Sequence, residues 1–328
     1  MSILYVVTDG ASIRKRGESF IVTSPEDEVL TEVEARRLEH VCILSSVQVT
    51  TQALAEMLEH GVELAILSSN GKLLGQLTPP LAKNIELRRA QFEKERDPAF
   101  ALAQAKEIVV VKISNQREVL VRYALDEPGE QPETSRAAVE MERMLQDVPQ
   151  ACNMDVLRGI EGACARAYWG VFGEMLKAEG VSFPGRQQHP SPDPVNAALS
   201  FGYVLLGNML HSLLDGLGFD PFLGFFHEES YGRASLALDL LEPFRAPVVD
   251  RFVLRAFNLG VLKPDQFQPD GEGGLRLTPD ALKSFFREWE RALHKIELRL
   301  RIREQAEDLR NVFLGKKPLV TPWRWSAR

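Results

Sequence analysis

The order of apolar and polar positions divides the chain into two parts. Ile3 to Val7 and Phe20 to Thr23 are short β-rich runs, separated by Asp9-Gly10 and by Arg14, Lys15, Arg16 and Gly17, which read as a basic turn. Val41 to Leu44 is a third run. Thr50 to His60 has the spacing of a helix, with a Thr cap in front and Gly61 behind. Val62 to Ser68 and Lys72 to Leu77 flank Asn70-Gly71, a dipeptide that tolerates the positive φ of a two-residue hairpin. Beyond Pro79-Pro80 the period becomes helical. These patterns predict an α+β protein with an N-terminal β-rich domain at 1–78, a linker at 79–84 and a larger α-helical domain at 85–328. No internal repeat is present.

Within the second part, helices are predicted at 81–96, 98–124 and 134–147, with Glu127 to Thr134 as a surface loop. From Asp155 to Leu176, the residues Val156, Leu157, Ile160, Ala163, Cys164, Ala167, Tyr168, Val171, Phe172 and Met175 fill one broad helical arc. A long polar connection, Val181 to Asp193, follows, and connections of that length are often functional. Asp193-Pro194 is a cap followed by a proline at the first helical position. Val195 to Leu214 carries no formal charge, yet Asn196, Ser200, Asn208, His211 and Ser212 make it too polar for a membrane span, so it reads as a central buried helix ended by Gly216 and Gly218. A short helix begins at Ser235 and is stopped or kinked by Pro243. Further helices are expected near 247–258 and 279–312, with Pro264 to Gly274 as a loop.

Composition changes this picture little. The chain has 328 residues, 45% hydrophobic and 26% charged, which is ordinary globular material. Cys42, Cys152 and Cys164 form no CxxC pair, against structural zinc and a disulfide framework. Nothing at Met1 has the form of a signal peptide, so a cytoplasmic protein is expected. The formal charge of −7 is unevenly spread, because Lys283 to Arg328 holds twelve Lys or Arg against six Asp or Glu. Lys283, Arg287, Arg291, Lys295, Arg299 and Arg303 recur every fourth residue along what reads as one long helix. Such a row can contact phosphates. The competing assignment is a salt-bridged solvent face, since Glu288, Glu290, Glu297, Glu304 and Glu307 lie among the cations.

Candidate chemistry concentrates in GFFHEESYGRASLALDLLEPFR, residues 224–245. Asp239 and Glu242 stand three apart, on one side of a helix, and His227 lies upstream on a loop that can fold back towards Glu242. A neutral imidazole beside a carboxylate is a divalent-metal half-site. Glu161 falls inside the apolar arc of the earlier helix, where a carboxylate is costly unless it is paired, hydrogen-bonded or bound to a cation. The competing assignments are a solvated acidic face for Asp239 and Glu242 and a salt bridge to a buried Arg for Glu161.

The strings RGIEGACARAYW at 158–169, DPVNAALSFGY at 193–203, GFFH at 224–227 and LDLLEPFR at 238–245 together resemble the CRISPR-associated spacer-acquisition integrase family in order and spacing. They cover the middle third of the chain. The resemblance implies a metal-dependent DNA endonuclease and integrase, a homodimer that joins a small ferredoxin-fold CRISPR-associated partner and inserts short foreign DNA fragments into a CRISPR array. Carried over by residue, it places the metal ligands and catalytic set on Glu161, His227 and Glu242, with Asp239 as a supporting acid and Mg²⁺ or Mn²⁺ as the ion. Some members have Asp in place of Glu242, and the loop before Asp193 reads HisProSerPro here without the family's adjacent prolines. Possible DNA contacts are Arg287, Arg291, Lys295 and Arg299. Attack by a 3′-OH would give integration, and attack by water would give cleavage. The alternatives are a simple metal-dependent nuclease without integration and a non-catalytic architectural DNA-binding relative.

Overall fold

The computed structural model describes residues 2–68, 71–78, 84–126, 133–187, 190–228 and 230–326. Asn70 of the expected hairpin turn, Pro79-Pro80, most of the 127–134 loop and His189 lie outside them. The α+β class expected from the sequence is the one observed, a β-rich N-terminal region followed by a mostly helical one.

In the N-terminal region, strands β1 (Ser2–Val6), β2 (Ser12–Arg16), β3 (Ser19–Thr23), β4 (Val29–Glu34), β5 (Leu38–Ile43), β6 (Gln48–Val49), β7 (Glu63–Leu67) and β8 (Leu73–Leu77) form two four-stranded sheets. One sheet has the order β1-β5-β7-β8, its first three strands parallel and β8 antiparallel. The other has the order β4-β3-β2-β6. Helix α1 (Thr51–Glu59) starts at Thr50, whose side chain accepts from the Ala53 amide, and Gly61 beyond it takes the left-handed conformation at φ 70°. Ile13, Phe20, Val22, Val41, Met57 and Leu64 pack between these elements as a cluster of their own.

One expectation here is overturned. Arg14, Lys15 and Arg16 are not a turn but the exposed end of β2, and the chain reverses at Gly17, φ 61°. The three charges are tolerated on a strand because each finds a carboxylate, Asp27, Glu56 and Glu32 respectively. The unexpected strand β4 is the edge of that sheet, and its apolar residues Val29 and Leu30 are exposed.

The helical region is built from α2 (Ile85–Glu95), α3 (Pro98–Asp126), α4 (Glu133–Leu145), α5 (Met154–Phe172), α6 (Pro194–Leu217), α7 (Ser235–Phe244), α8 (Arg251–Asn258), α9 (Pro279–Lys295) and α10 (Leu298–Phe313). The longest, α3, lies against α4, α5 and α7. Helix α6 opens as expected, with the Asp193 side chain accepting from the Asn196 amide and Pro194 at the first position. It is long and apolar enough to cross a membrane by length and composition, but most of its residues are buried against the other helices. The two regions meet where Tyr5 stacks on Phe286, ring centroids 3.9 Å apart, and donates to Glu290 Oε1 at 2.9 Å.

Three further expectations need correction. Of the stop or kink expected at Pro243, the stop does not occur, since α7 runs on through a π-helical turn, Arg245–Asp250, into α8. A proline cannot donate to the carbonyl four residues back, and a wider turn beside it is one way for a helix to continue. The loop expected at 264–274 contains the strand β9 (Phe267–Pro269), which pairs antiparallel with β10 (Leu275–Leu277) just beyond it. The long C-terminal helix is in fact two, because Glu297 adopts φ 51°, ψ 40° between α9 and α10.

A non-glycine residue in that left-handed region is strained. Glu297→Gly should therefore raise the free energy of unfolding by about 0.5–1 kcal/mol in urea titrations, the strain relief exceeding the entropy lost by a more flexible unfolded chain. A decrease would show that the Glu297 side chain, rather than its backbone, fixes the angle between the two helices.

Candidate metal centre

Asp239 and Glu242 face inward from α7, Asp239 fully buried and Glu242 2% exposed. The loop before α7 folds back over them. Gly224 lets it approach, since a Cβ there would stand 2.7 Å from Asp239 Oδ2. Asp239 then organises the loop: Oδ2 accepts from the amides of Phe225 at 2.7 Å and Phe226 at 3.0 Å, and Oδ1 from the amide of His227 at 2.9 Å. Its Oδ1 is also 2.7 Å from His227 Nδ1. A carboxylate can only accept, so Nδ1 is the donor of this pair and Nε2 is the ring nitrogen left to face Glu242. That Nε2 lies 3.6 Å from Glu242 Oε1. On the outer side, Arg158 of α5 clasps the same loop, donating to Glu228 Oε1 at 2.6 Å and to the Phe226 carbonyl at 3.0 Å.

Glu161 comes from α5 and meets these residues through Lys112 of α3. The Lys112 Nζ is 2.6 Å from Glu161 Oε1 and 2.6 Å from Glu242 Oε2. The acid on the apolar arc is therefore paired, with a lysine rather than an arginine, and the lysine is shared. Arg245, at the start of the π turn, stands 3.2 Å from Glu242 Oε1. Burial pushes the Glu242 carboxyl up, but Lys112, then Arg245 and His227, outweigh it and hold it down at about 2. Burial likewise lowers Lys112, and Glu242 and Glu161 outweigh it, so its pKa is raised.

These groups wall a cavity of about 250 Å³. Its far side is a second buried cluster that the sequence did not announce. Asp250, at the end of the π turn and fully buried, accepts from Tyr168 of α5 at 3.0 Å and from Tyr203 of α6. Two guanidinium groups lie over the Tyr203 ring, Arg245 at 4.0 Å and Arg186 at 5.4 Å from its centroid. Arg186 belongs to the long 181–193 connection and is held by Asn196 Oδ1 at 2.9 Å and Ser200 Oγ at 3.1 Å. Burial lowers its pKa. Lys112 could have been noticed as the one charge within Val109 to Ile113, and Asp250 as an acid following Pro247-Val248-Val249. No local pattern marks Arg186, Tyr203 or Arg245.

The structure thus brings Glu161, His227, Glu242 and Asp239 together. Among the described residues no three His, Cys, Asp or Glu side chains are arranged to hold a metal ion, and Lys112 Nζ lies between the two glutamates. The basic C-terminal row is not brought there: Arg287, Arg291, Lys295 and Arg299 are absent from the cavity wall. The break at Glu297 divides the row between α9 and α10, and Arg291 and Arg299 are paired with Glu288 at 2.5 Å and Glu290 at 2.8 Å.

Residues 4–291 match the family model described as CRISPR associated protein Cas1. Curated relatives include a CRISPR-associated endonuclease Cas1 of Rhodospirillum rubrum, 33% identical over 298 residues that make up 88% of this chain and 86% of that one. Another, from Thermus thermophilus, is 34% identical over 334 residues, 98% of this chain and 97% of the relative. Among solved structures, a casposase bound to its integration product superimposes with a TM-score of 0.84 at 23% identity, covering 99% of this chain and 95% of that chain, a likeness of fold. A Cas6-RT-Cas1–Cas2 complex matches with a TM-score of 0.83 at 25% identity over 99% of this chain, which spans 36% of that longer one. The resemblance carried by the motifs at 158–169, 193–203 and 224–245 is borne out over nearly the whole length, and the chain belongs to the Cas1 family of CRISPR-associated proteins.

Proposed function

We propose that the protein is a metal-dependent DNA endonuclease and integrase that inserts short foreign DNA fragments into a CRISPR array. The observation that carries this reading is the convergence of Glu161 and Glu242 on one cation position, with the free nitrogen of His227 beside Glu242. The Lys112 ammonium already acts there as a stand-in cation between two carboxylate oxygens. Two carboxylates and an imidazole whose other nitrogen is fixed by a buried acid are a donor set suited to Mg²⁺ or Mn²⁺. Glu161, His227 and Glu242 would hold the ion. Bound to them, it would polarise the target phosphodiester and offset the charge that develops during in-line displacement.

The remaining residues do the positioning. Asp239 fixes the His227 ring through Nδ1 and its loop through three amides. Arg245 and Arg186, held over Tyr203, put guanidinium donors on the cavity wall, where they can grip non-bridging phosphate oxygens. Attack by the 3′-OH of a DNA end gives integration, and attack by water gives cleavage. Membership of a family whose relatives are named endonucleases, and the fold shared with a casposase bound to integration product, support both chemistries. Assembly with a Cas2 partner is supported by the matched Cas6-RT-Cas1–Cas2 complex, and the homodimer and the small ferredoxin fold of the partner are further parts of the same reading. An architectural role without catalysis gives no reason to bury Glu242 and Asp250 on the wall of one cavity.

At the two acids the test uses Gln, which keeps the side-chain volume and an acceptor oxygen for Lys112 or Arg245. A cation bound only by the folded state adds about 2.7 kcal/mol of stability at a hundredfold excess over its dissociation constant. Mn²⁺ should accordingly raise the melting temperature of the unmodified protein, and Glu161→Gln, His227→Ala and Glu242→Gln should lose most of that rise. Strand transfer of labelled duplexes into a supercoiled array plasmid should fall in each by at least the roughly 10–100-fold that loss of a mere outer-shell partner of a metal ligand costs. Full strand transfer by the three variants would remove the site assignment.

Asp250 gives an independent pH test. Burial, against the opposing effects of Tyr203, Arg245, Tyr168 and Arg186, pushes its carboxyl from 3.8 up to about 6. Between those values the folded protein keeps a proton that the unfolded chain releases, so this group's contribution to stability falls as pH rises from about 4 to 6. Asp250→Asn cannot titrate. Its melting temperature should gain on that of the unmodified protein between pH 4 and pH 7; a constant difference would show that Asp250 is ionised throughout.

A further inference from the structure

Lys112 has no function in the reading above beyond standing where a metal would stand. We propose that it is the built-in competitor of the centre: its ammonium group holds Glu161 and Glu242 together in the metal-free protein and must leave their shared position when a divalent cation binds. This rests on the assignment of Glu161, His227 and Glu242 as ligands, and it adds a residue that acts on the centre through them.

Geometry carries the argument. Nζ lies 2.6 Å from an oxygen of each glutamate, at a charge-assisted hydrogen-bond distance from both. A small divalent cation held by the same two carboxylates takes oxygens at about 2.0–2.2 Å, so it needs the same space. Two cations cannot share it. Lys112 is 11% exposed and emerges from the middle of α3, where Val109, Val111 and Ile113 are buried; its side chain can move but its backbone cannot. It has somewhere to go, since it lines the cavity of about 250 Å³ together with Gln116 one turn further along the same helix. No third carboxylate is paired with it among the described residues, so displacement costs the ion pairs themselves.

The arrangement has two consequences. Without metal, Lys112 keeps two acids from different helices close together, α5 and α7 being joined through α3. With metal, part of the binding energy is spent in expelling the ammonium group, which weakens apparent affinity. The expelled group stays in the cavity, next to the place where a phosphodiester would lie.

The experiment compares the unmodified protein with Lys112→Met, which keeps length and apolar stem without charge, and Lys112→Arg, which keeps the charge. Mn²⁺ alone is the probe, read by isothermal titration calorimetry and by thermal melting. Expected for Lys112→Met is a lower melting temperature without metal, at least about a tenfold lower Mn²⁺ dissociation constant, and a larger Mn²⁺-induced rise in melting temperature. Lys112→Arg should bind Mn²⁺ no more tightly than the unmodified protein. A dissociation constant that is unchanged or higher in Lys112→Met overturns the proposal. Should the methionine variant not fold, the unmodified protein decides alone: acylation of the Lys112 amine by acetic anhydride, followed by mass spectrometry, should speed up severalfold at saturating Mn²⁺, and an unchanged rate overturns the proposal. Glu161→Gln separates the two levels of inference. Mn²⁺ binding that survives in that variant removes the centre and the competitor together, whereas binding lost there but unaltered in Lys112→Met removes only the competitor.

Discussion

Taking the Glu242 carboxylate out of water is the constraint on which the rest of the helical region depends. An ion that is 2% exposed is stable only where cations and donors converge on it, and the chain supplies them from different places: Lys112 from the middle of α3, Arg245 from the π turn and His227 from the folded-back loop. Each contributor is itself held. Asp239 fixes the loop, Arg158 clasps it from outside, and Glu161 takes the other side of Lys112. The packing of α3, α5 and α7 is in this sense the means by which one buried charge is compensated.

The π turn between α7 and α8 belongs to the same requirement. Pro243 has no amide to offer the carbonyl four residues back, and side chains from distant elements bond to other carbonyls beside it: Asn115 Nδ2 donates to the Pro243 carbonyl at 2.6 Å and Gln305 Nε2 to that of Leu240 at 3.0 Å. The wider turn sets Arg245 against Glu242 at one end and Asp250 under two tyrosines at the other. It also packs tightly on α6, where a Cβ on Gly202 would meet Val249 Cγ1 at 2.7 Å; that close approach brings the neighbouring Tyr203 to Asp250. Residues that read as a helix stop in the sequence thus form the joint between the two acidic clusters.

What could be read in the sequence and what could not divide along this line. Local signals were sufficient for Thr50 and Asp193 as caps, for the strands flanking Gly71, for the buried course of α6 and for Glu161 as an acid on an apolar arc. They failed where a distant partner decides the outcome. Arg14, Lys15 and Arg16 read as a turn because their carboxylates lie 13, 41 and 16 residues away. The single long C-terminal helix failed at Glu297, whose left-handed backbone no glycine announces. Asp239 and Glu242 were legible as a pair, but Lys112 lies more than a hundred residues upstream, and Asp250 reads as one more acid after an apolar run until Tyr168 and Tyr203 are seen to donate to it.

The same distinction explains how a chain with net charge −7 can present a site for a polyanion. At the cavity, Lys112, Arg186 and Arg245 face Glu161, Glu242 and Asp250, an even balance if all six are ionised and a positive one when Asp250 keeps its proton. Adding a divalent cation to that balance makes the cavity strongly positive, in a partly enclosed place where fields are poorly screened. In the proposed reading, the attraction for a phosphodiester would come from the loaded centre and its two stacked arginines, whatever the sign of the remaining surface. The C-terminal row of Lys and Arg is conspicuous in the sequence because its charges are local, whereas the cavity proposed as the site is poorer in charge and richer in pairing between distant residues.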